Sequence, residues 1–321
     1  MLNAIASDAE ICEKDGVLEI GAGAGSLTQI LSEKAKHVVS FEIDRDLQEH
    51  LLGLDLKNVD FVFGDFMDFD MSKVEEMFGK GYKVVANLPY YITTPIIFRI
   101  LEESEKVESL TIMVQKEVAE RICTDFGGKD YGILTVMTQF YGNPKITRIV
   151  GRQMFYPAPN VDSAVLNIQI QRDKYVGVDR EKFLKFVQAC FSMRRKTLLN
   201  NLSSIYSKEK LKETFSEEVL RKRAEQFSLD ELVEIFKKCS WDVKWNIKWK
   251  MCWKDTFFLF VIYIYMNCSE EELIIFATSI AMELSKGLSV DELEDLRCII
   301  NQISCSISTL ICTKVSAKKK K

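Results

Sequence analysis

A short polar segment follows an apolar run in the first third of the chain. Asn87-Leu88-Pro89-Tyr90 comes directly after Lys83–Ala86, a run typical of a buried strand. At the end of such a strand the Asn87 amide oxygen, the Leu88 carbonyl and the Tyr90 ring would meet at one point, with Pro89 shaping the turn. Two hydrogen-bond acceptors and an aromatic face suit an amino group on a flat heterocycle. The segment therefore predicts a site that binds and orients an aromatic amine.

A glycine-rich turn upstream predicts a site for a nucleotide-like cofactor. Gly21, Gly23 and Gly25 follow the apolar run Val17–Ile20 and precede a helix start at Ser26. Glycines at such a junction permit a tight turn and a close approach of the backbone to a ligand. The spacing is G-x-G-x-G, which differs from the G-x-G-x-x-G of dinucleotide-binding folds.

Residues at the ends of three predicted strands describe this ligand further. Glu19, two residues before the first glycine, repels phosphate and favours an ammonium or sulfonium group. Glu42 ends the second strand, where a carboxylate can accept from both ribose hydroxyls. Asp65 can accept from an adenine amino group, and Phe66 offers a ring beside that base. Adenosine joined to an amino acid fits this set, so we predict S-adenosylmethionine, with NAD as the competing ligand.

Alternating strand and helix patterns must position these residues. Seven apolar runs predict strands, and helical patterns such as Leu27–Lys34 and Pro95–Glu102 lie between the earlier ones. This alternation predicts an α/β fold with a doubly wound, mostly parallel sheet, whose ligands bind at the carboxyl ends of the strands. The predicted strands are Val17–Ile20, Val38–Ile43, Phe61–Phe63, Val84–Asn87, Leu110–Val114, Ile146–Val150 and Ala164–Ile170.

The chain divides into four predicted parts. Residues 1–175 are the α/β domain, and residues 176–239 are a small all-helical domain, because phenylalanines recur there at helical spacing. Residues 240–266 are a Trp/Phe-rich linker, and residues 267–321 are a helical hairpin with a basic tail. The alternative for the linker is an amphipathic segment on a membrane surface. Its apolar run is about half the ~20 residues that a membrane span needs.

Composition excludes several classes of protein. The chain has 321 residues and a net charge of −4, so its overall charge does not indicate a nucleic-acid partner. Nine cysteines without a C-x-x-C pair, and no signal peptide, indicate a reducing cytoplasm. Two histidines are too few for a histidine metal site. We therefore expect a cytoplasmic monomer without a metal ion and without a membrane partner.

Longer motifs resemble those of the ribosomal RNA adenine dimethyltransferases. Besides the segments described above, the resemblance is carried by Met113–Arg121, Phe155–Ser163, Phe191–Leu198 and Arg223–Leu229, and it covers roughly Leu2–Lys238. The most similar branch dimethylates two adjacent adenines near the 3′ end of small-subunit rRNA. The sister branch, the erythromycin-resistance enzymes that act on large-subunit rRNA, is the alternative.

The resemblance implies a class I methyltransferase fold with a seven-stranded, Rossmann-like sheet, and it implies a role for each site residue. Asn87, which also lines the cofactor site, and Leu88 would accept both hydrogens of adenine N6, while Tyr90 and Phe155 would stack on the base. Catalysis of this kind is mainly positioning and electrostatics. Two basic clusters would contact rRNA phosphates, although such runs are usually solvated helix faces. They are Arg194, Arg195 and Lys196, and Arg221, Lys222 and Arg223.

The chain departs from the family pattern at both ends. Family members usually carry a basic stretch and a Gly-Gln-Asn-Phe-Leu element before the first helix, whereas this chain starts at Met1 inside that helix. We therefore expect an N-terminally truncated enzyme, and the alternative is an rRNA-binding assembly factor that has lost turnover. The resemblance stops near Lys238, and the hairpin of unknown function beyond it adds no chemistry.

Overall fold

The computed structural model describes residues 2–155 and 159–239, which belong to one compact unit. The predicted linker (240–266) and C-terminal hairpin (267–321) lie outside the described residues. So do residues 156–158, which directly follow Phe155. The predictions made for these ranges therefore stay predictions.

Seven strands form one sheet, and each strand predicted from the sequence is present with its ends moved by a few residues. The strands are β1 (Gly16–Ile20), β2 (His37–Glu42), β3 (Val59–Phe63), β4 (Tyr82–Asn87), β5 (Val107–Gln115), β6 (Gly142–Val150) and β7 (Ser163–Ile170). Their order is β3-β2-β1-β4-β5-β7-β6. Strands β1 to β5 are parallel, and β7 runs antiparallel to both of its neighbours. The predicted doubly wound, mostly parallel sheet is confirmed.

Twelve α-helices occur within the described residues. They are α1 (Leu2–Asp8), α2 (Ser26–Lys34), α3 (Gln48–Leu52), α4 (Met71–Phe78), α5 (Tyr90–Glu103), α6 (Lys116–Ile122), α7 (Ile133–Tyr141), α8 (Arg180–Phe191), α9 (Leu198–Leu202), α10 (Lys208–Thr214), α11 (Glu217–Arg221) and α12 (Leu229–Lys238). Helices cover both faces of the sheet because successive strand residues point to opposite sides. Val17 packs with α1 and α2, whereas its neighbour Leu18 packs in the larger core that includes α4 and α5.

The helical region after β7 shares a core with the α/β part. The Phe183 ring of α8 lies 4.6 Å from the Phe140 ring of α7 and 5.4 Å from the Phe236 ring of α12, centroid to centroid. The predicted all-helical segment is therefore present. The predicted domain boundary near residue 175 falls in the connection between β7 and α8, and it stays a prediction.

The strand order places two loops side by side. Chain order reverses between β1 and β4, where Ile20 pairs with Ala86. Doubly wound sheets bind ligands in the crevice at such a switch point. The turn that follows β1 and the segment that follows β4 consequently meet at the carboxyl edge of the sheet.

Candidate cofactor and acceptor site

The turn between β1 and α2 is held by its own backbone. The N–H groups of Gly21 and Ala22 both donate to the carbonyl of Phe41 on β2, at 2.8 and 3.0 Å. Gly21, Gly23 and Gly25 all have positive φ, at +82°, +55° and +78°, a region that glycine enters without the clash of a side chain. The predicted tight turn is present, and α2 begins directly after it.

The same turn packs against the segment after β4. A Cβ atom placed on Gly21 would lie 2.9 Å from Leu88 Cδ2, so a larger residue there would require the Leu88 side chain to move. A Cβ atom on Gly23 would meet no atom of the described chain within 4 Å. The turn is therefore closed toward Leu88 and open at Gly23, where a ligand could approach the backbone.

Glu42, the last residue of β2, ties this turn to the next loop. Its Oε2 accepts from the Gly23 N–H at 2.6 Å, and its Oε1 accepts from the Asp44 N–H at 2.8 Å. The residue is 7% exposed. Because a carboxylate oxygen has two lone pairs, Glu42 can hold the turn and still accept from a ribose hydroxyl. The predicted ribose contact fits this geometry.

Glu19 lies within the protein, beneath the turn. Its side chain is fully buried, and Oε2 accepts from the hydroxyls of Thr28 and Ser40, both at 2.6 Å. Burial raises the pKa of Glu19 to about 7, although the two hydroxyls oppose the rise, and the nearby Glu42 charge adds to it. Oε1 accepts no hydrogen bond from any described residue.

That unpartnered oxygen tests whether the site fits a cationic ligand. A buried acceptor without a partner is costly and rare in native structures, and an ammonium group can supply the missing hydrogen bond. The residues present therefore fit the predicted cofactor. Sequence reasoning did not identify Thr28 or Ser40, although Ser40 pairs directly with Glu19 across β1 and β2.

Asp65 and Phe66, which follow β3, have different surroundings. Asp65 is exposed, and its Oδ1 accepts from the Met67 N–H at 2.8 Å. Phe66 is 4% exposed, and its ring packs edge-on against Phe41 with centroids 5.2 Å apart, while the Arg99 guanidinium lies 5.3 Å from its centroid. Phe66 is thus mostly packed inside the protein, and its predicted place beside adenine stays a prediction. Asp65 is the polar group that this loop offers to a ligand.

The segment after β4, Asn87–Tyr90, contains two polar groups that a ligand could contact. Asn87 ends β4 opposite Met113 of β5, and α5 begins three residues later at Tyr90. Within the described residues, neither the Asn87 amide nor the Leu88 carbonyl forms a hydrogen bond, and both residues are partly exposed. Pro89 caps α5 in an extended conformation, with φ −54° and ψ 138°. The predicted pair of acceptors is thus positioned at the switch point, beside the glycine turn.

The Tyr90 hydroxyl contacts β7, which lies two strands away from β4 in the sheet. It lies 2.6 Å from the hydroxyl of Ser163, a fully buried residue that begins β7. Ser163 in turn pairs with Gln115 at the end of β5. Sequence reasoning included Ser163 in a motif but gave it no role, because no local pattern shows that two residues 73 positions apart meet.

Phe155 lies in the loop between β6 and β7. It is partly buried against the core that contains α1 and α2, next to residues 156–158, which are outside the described ranges. The loop is closed at its base because Asp162 accepts from the Arg152 N–H at 3.0 Å. The predicted role of Phe155 as the second wall of a base pocket stays a prediction.

The predicted RNA-binding clusters are exposed and partly paired. Arg194 Nε lies 3.5 Å from Glu225, and Arg223 Nη1 lies 3.9 Å from the same carboxylate. Arg221 pairs with Glu217 at 2.5 Å, and Lys222 lies 3.9 Å from Glu218. Arg195 and Lys196 form no ion pair within the described residues.

The described residues contain neither a cluster of metal ligands nor a membrane-spanning helix. No group of three or more His, Cys, Asp or Glu side chains within residues 2–155 and 159–239 could hold a metal ion. No helix of these ranges has the length and apolar character needed to span a bilayer.

Comparison with known proteins adds a family and several relatives. Residues 1–240 match the family model "Ribosomal RNA adenine dimethylase". A ribosomal RNA small subunit methyltransferase A from Fusobacterium nucleatum is 40% identical over 244 residues, which cover 74% of this chain and 91% of that protein. Its counterpart from Alkaliphilus metalliredigens is 42% identical over 237 residues, covering 72% and 80%.

Solved structures show the same likeness. A dimethyladenosine transferase from Plasmodium falciparum superposes with a TM-score of 0.63 at 26% identity, over 74% of this chain and 96% of that one. The 23S rRNA methyltransferase ErmE superposes with a TM-score of 0.55 at 27% identity, with the same coverage. The seven-stranded sheet and the helices that follow it are therefore an arrangement found in rRNA-modifying methyltransferases.

Proposed function

This chain belongs to the ribosomal RNA adenine dimethylase family, and from that premise we propose that it dimethylates N6 of two adjacent adenosines near the 3′ end of small-subunit rRNA. S-adenosylmethionine is the methyl donor. The observation that carries the proposal is the pair of unpartnered acceptors, the Asn87 amide and the Leu88 carbonyl, at the switch point of the sheet. The names of the relatives favour the small subunit over the large-subunit alternative.

The first loops hold the cofactor. The open backbone at Gly23, the Glu42 carboxylate and Asp65 would bind its adenosine part, and the buried Glu19 would attract its ammonium group. The cofactor supplies an electrophilic methyl group on a sulfonium. These residues would hold that group at the carboxyl edge of the sheet, beside the segment that follows β4.

The segment after β4 prepares the amine. The N6 lone pair of adenine is delocalised into the ring, so the amine is a poor nucleophile. Asn87 and Leu88 accept its two hydrogens and draw the nitrogen toward a tetrahedral shape, which directs the lone pair at the methyl group. Transfer would form the N6–CH3 bond and break the S–CH3 bond, leaving S-adenosylhomocysteine as the thioether product and releasing one N6 proton to water. No strong base would be needed before attack, because the amine becomes acidic only as the methyl group arrives.

The acceptor base must leave the RNA stack to reach these groups. Tyr90, fixed by Ser163, offers one face for the extruded adenine, and Phe155 offers the second. Stacking on an aromatic side chain contributes about 1–3 kcal/mol per base. The basic residues of the helical part bind the surrounding phosphates, and the enzyme acts as a cytoplasmic monomer on the small subunit.

The test is methyl transfer to unmethylated small ribosomal subunits. We expect label from S-adenosylmethionine to appear as N6,N6-dimethyladenine on adjacent adenines, and to be lost with the Asn87→Ala variant. Label on large-subunit rRNA instead would favour the erythromycin-resistance type of enzyme. Subunit binding without any label would contradict the proposed reaction and favour an assembly factor.

A further inference from the structure

One aromatic side chain stands exposed beside the basic residues of the helical part. Phe126, in the connection between α6 and α7, is 54% exposed. Its neighbour Gly127 donates its backbone N–H to the carbonyl of Glu225 at 2.6 Å. That bond holds the connection against the 3₁₀ turn Ala224–Gln226. Phe126 is therefore held next to a fixed point of the helical region.

The carboxylate at this fixed point also brings the two predicted basic clusters together. Arg194 and Arg223 both lie within 4 Å of Glu225, at 3.5 and 3.9 Å. Met193, which precedes Arg194, is 60% exposed. Two arginines thus contact the Glu225 carboxylate, while the exposed Phe126 and Met193 each directly adjoin, in sequence, a residue that contacts Glu225.

We propose that Phe126 stacks on an unpaired base of the rRNA while the surrounding arginines bind the flanking phosphates. The inference rests on the proposed function and adds a base contact outside the methyl-acceptor pocket. An aromatic ring beside guanidinium groups suits single-stranded RNA, because each base offers a flat face and each phosphate a negative charge. The excess of arginines around Glu225 favours such a polyanion over an apolar peptide.

Salt dependence separates a stacking contact from a phosphate contact. We would measure binding of the full chain to unmethylated small subunits over a range of salt concentrations. Phe126→Ala should weaken binding about tenfold and leave the salt slope unchanged, because it removes no charge. Phe126→Tyr should bind like the parent chain. Arg194→Ala, which removes one of the two arginines at Glu225, should instead lower the slope by about 0.7–0.9.

Val176→Ala is the matched control, because Val176 is 78% exposed in the connection between β7 and α8. It should leave both affinity and slope unchanged. Unchanged affinity of Phe126→Ala, or a loss shared equally by Phe126→Tyr, would overturn the inference. Thermal melting of each variant guards against loss of folding.

A photoreactive phenylalanine analogue at position 126 identifies the partner. A crosslink to rRNA is expected, whereas a crosslink only to a ribosomal protein would overturn the proposed contact. The binding titrations and the crosslinking experiment both report on RNA binding and do not depend on methyl transfer. Normal methylation with no effect at Phe126 would therefore contradict this contact alone, and a clear Phe126 effect without methylation would contradict the proposed reaction alone.

Discussion

The turn after β1 and the segment after β4 lie side by side at one edge of the sheet, yet their polar groups are used differently. In the turn after β1, the Glu42 carboxylate already accepts hydrogen bonds from the backbone N–H groups of Gly23 and Asp44. In the second, the Asn87 amide and the Leu88 carbonyl have no partner within the described residues. The turn after β1 is thus held by its own hydrogen bonds and keeps one buried acceptor, Glu19 Oε1, without a partner among the described residues, while the segment after β4 keeps both of its acceptors for a ligand.

This difference suits the two ligands of a methyl transfer. The cofactor is mobile in solution and gains affinity when its site is already formed, since less ordering is needed on binding. The acceptor amine is activated by groups that act on it as the transition state forms, so these groups must be positioned but unpaired. Variants that alter one half should therefore change cofactor binding, and variants that alter the other should change the transfer rate.

The largest effect is expected from Asn87→Ala. Removing one of the two acceptors should lower the rate of methyl transfer by about 10²–10³-fold, the range seen when a single preorganised hydrogen-bonding group is removed from an active site. Cofactor affinity should change far less. Single-turnover transfer and calorimetric titration measure the two quantities separately. An equal loss in transfer rate and in cofactor affinity would place Asn87 in the cofactor half of the site. Asn143→Ala, at an exposed position on β6, is the control.

Glu42→Gln should give the next largest effect, on the cofactor. The amide keeps one acceptor but loses the charge that holds Gly23 and Asp44. Hydrogen bonds to charged groups contribute about 1.5–3 kcal/mol, so cofactor affinity should fall about 10- to 100-fold. Transfer at saturating cofactor should stay near normal. A large loss of transfer with unchanged affinity would contradict the division of roles; Glu49→Gln, exposed on α3, is the control.

Comparison of these halves also shows what the sequence could predict. The strands were predictable because each contains a short stretch rich in apolar residues, and Asn87 and the glycines were found because they directly follow such stretches. The direction of the Phe66 ring was not, because Phe41 and Arg99 reach it from other segments. The pairing of Tyr90 with Ser163 depends on β7 lying beside β5, a tertiary fact that no local pattern contains.

A smaller effect is expected from pH, through Glu19. Burial raises its pKa to about 7 in the folded protein, so without cofactor its stabilising contribution is present at low pH and is lost as pH rises from about 4.5 to about 7. An ammonium ligand favours the ionised form. Cofactor affinity should therefore rise about tenfold between pH 6 and pH 8, as the ionised fraction grows.

Glu19→Gln should remove both pH dependences, because the amide does not ionise. Calorimetric titration across pH measures the first, and thermal unfolding without cofactor measures the second. Glu33→Gln, an exposed residue of α2, should leave both unchanged. An affinity that falls as pH rises would show that Glu19 does not pair with the ammonium group.

The smallest effect is expected from the link between Tyr90 and Ser163, which joins the acceptor half to β7. Ser163→Ala removes the hydroxyl that lies 2.6 Å from the Tyr90 hydroxyl, and Tyr90→Phe removes the other partner. Each change should lower the transfer rate about fivefold, equivalent to about 1 kcal/mol for one hydrogen bond, without changing the affinity for cofactor. Because both remove the same contact, the double variant should be no slower than either single one. Additive losses would show that Ser163 acts on the packing of β7 and not on the Tyr90 ring, and the position of the acceptor base would then depend on the α5 backbone alone.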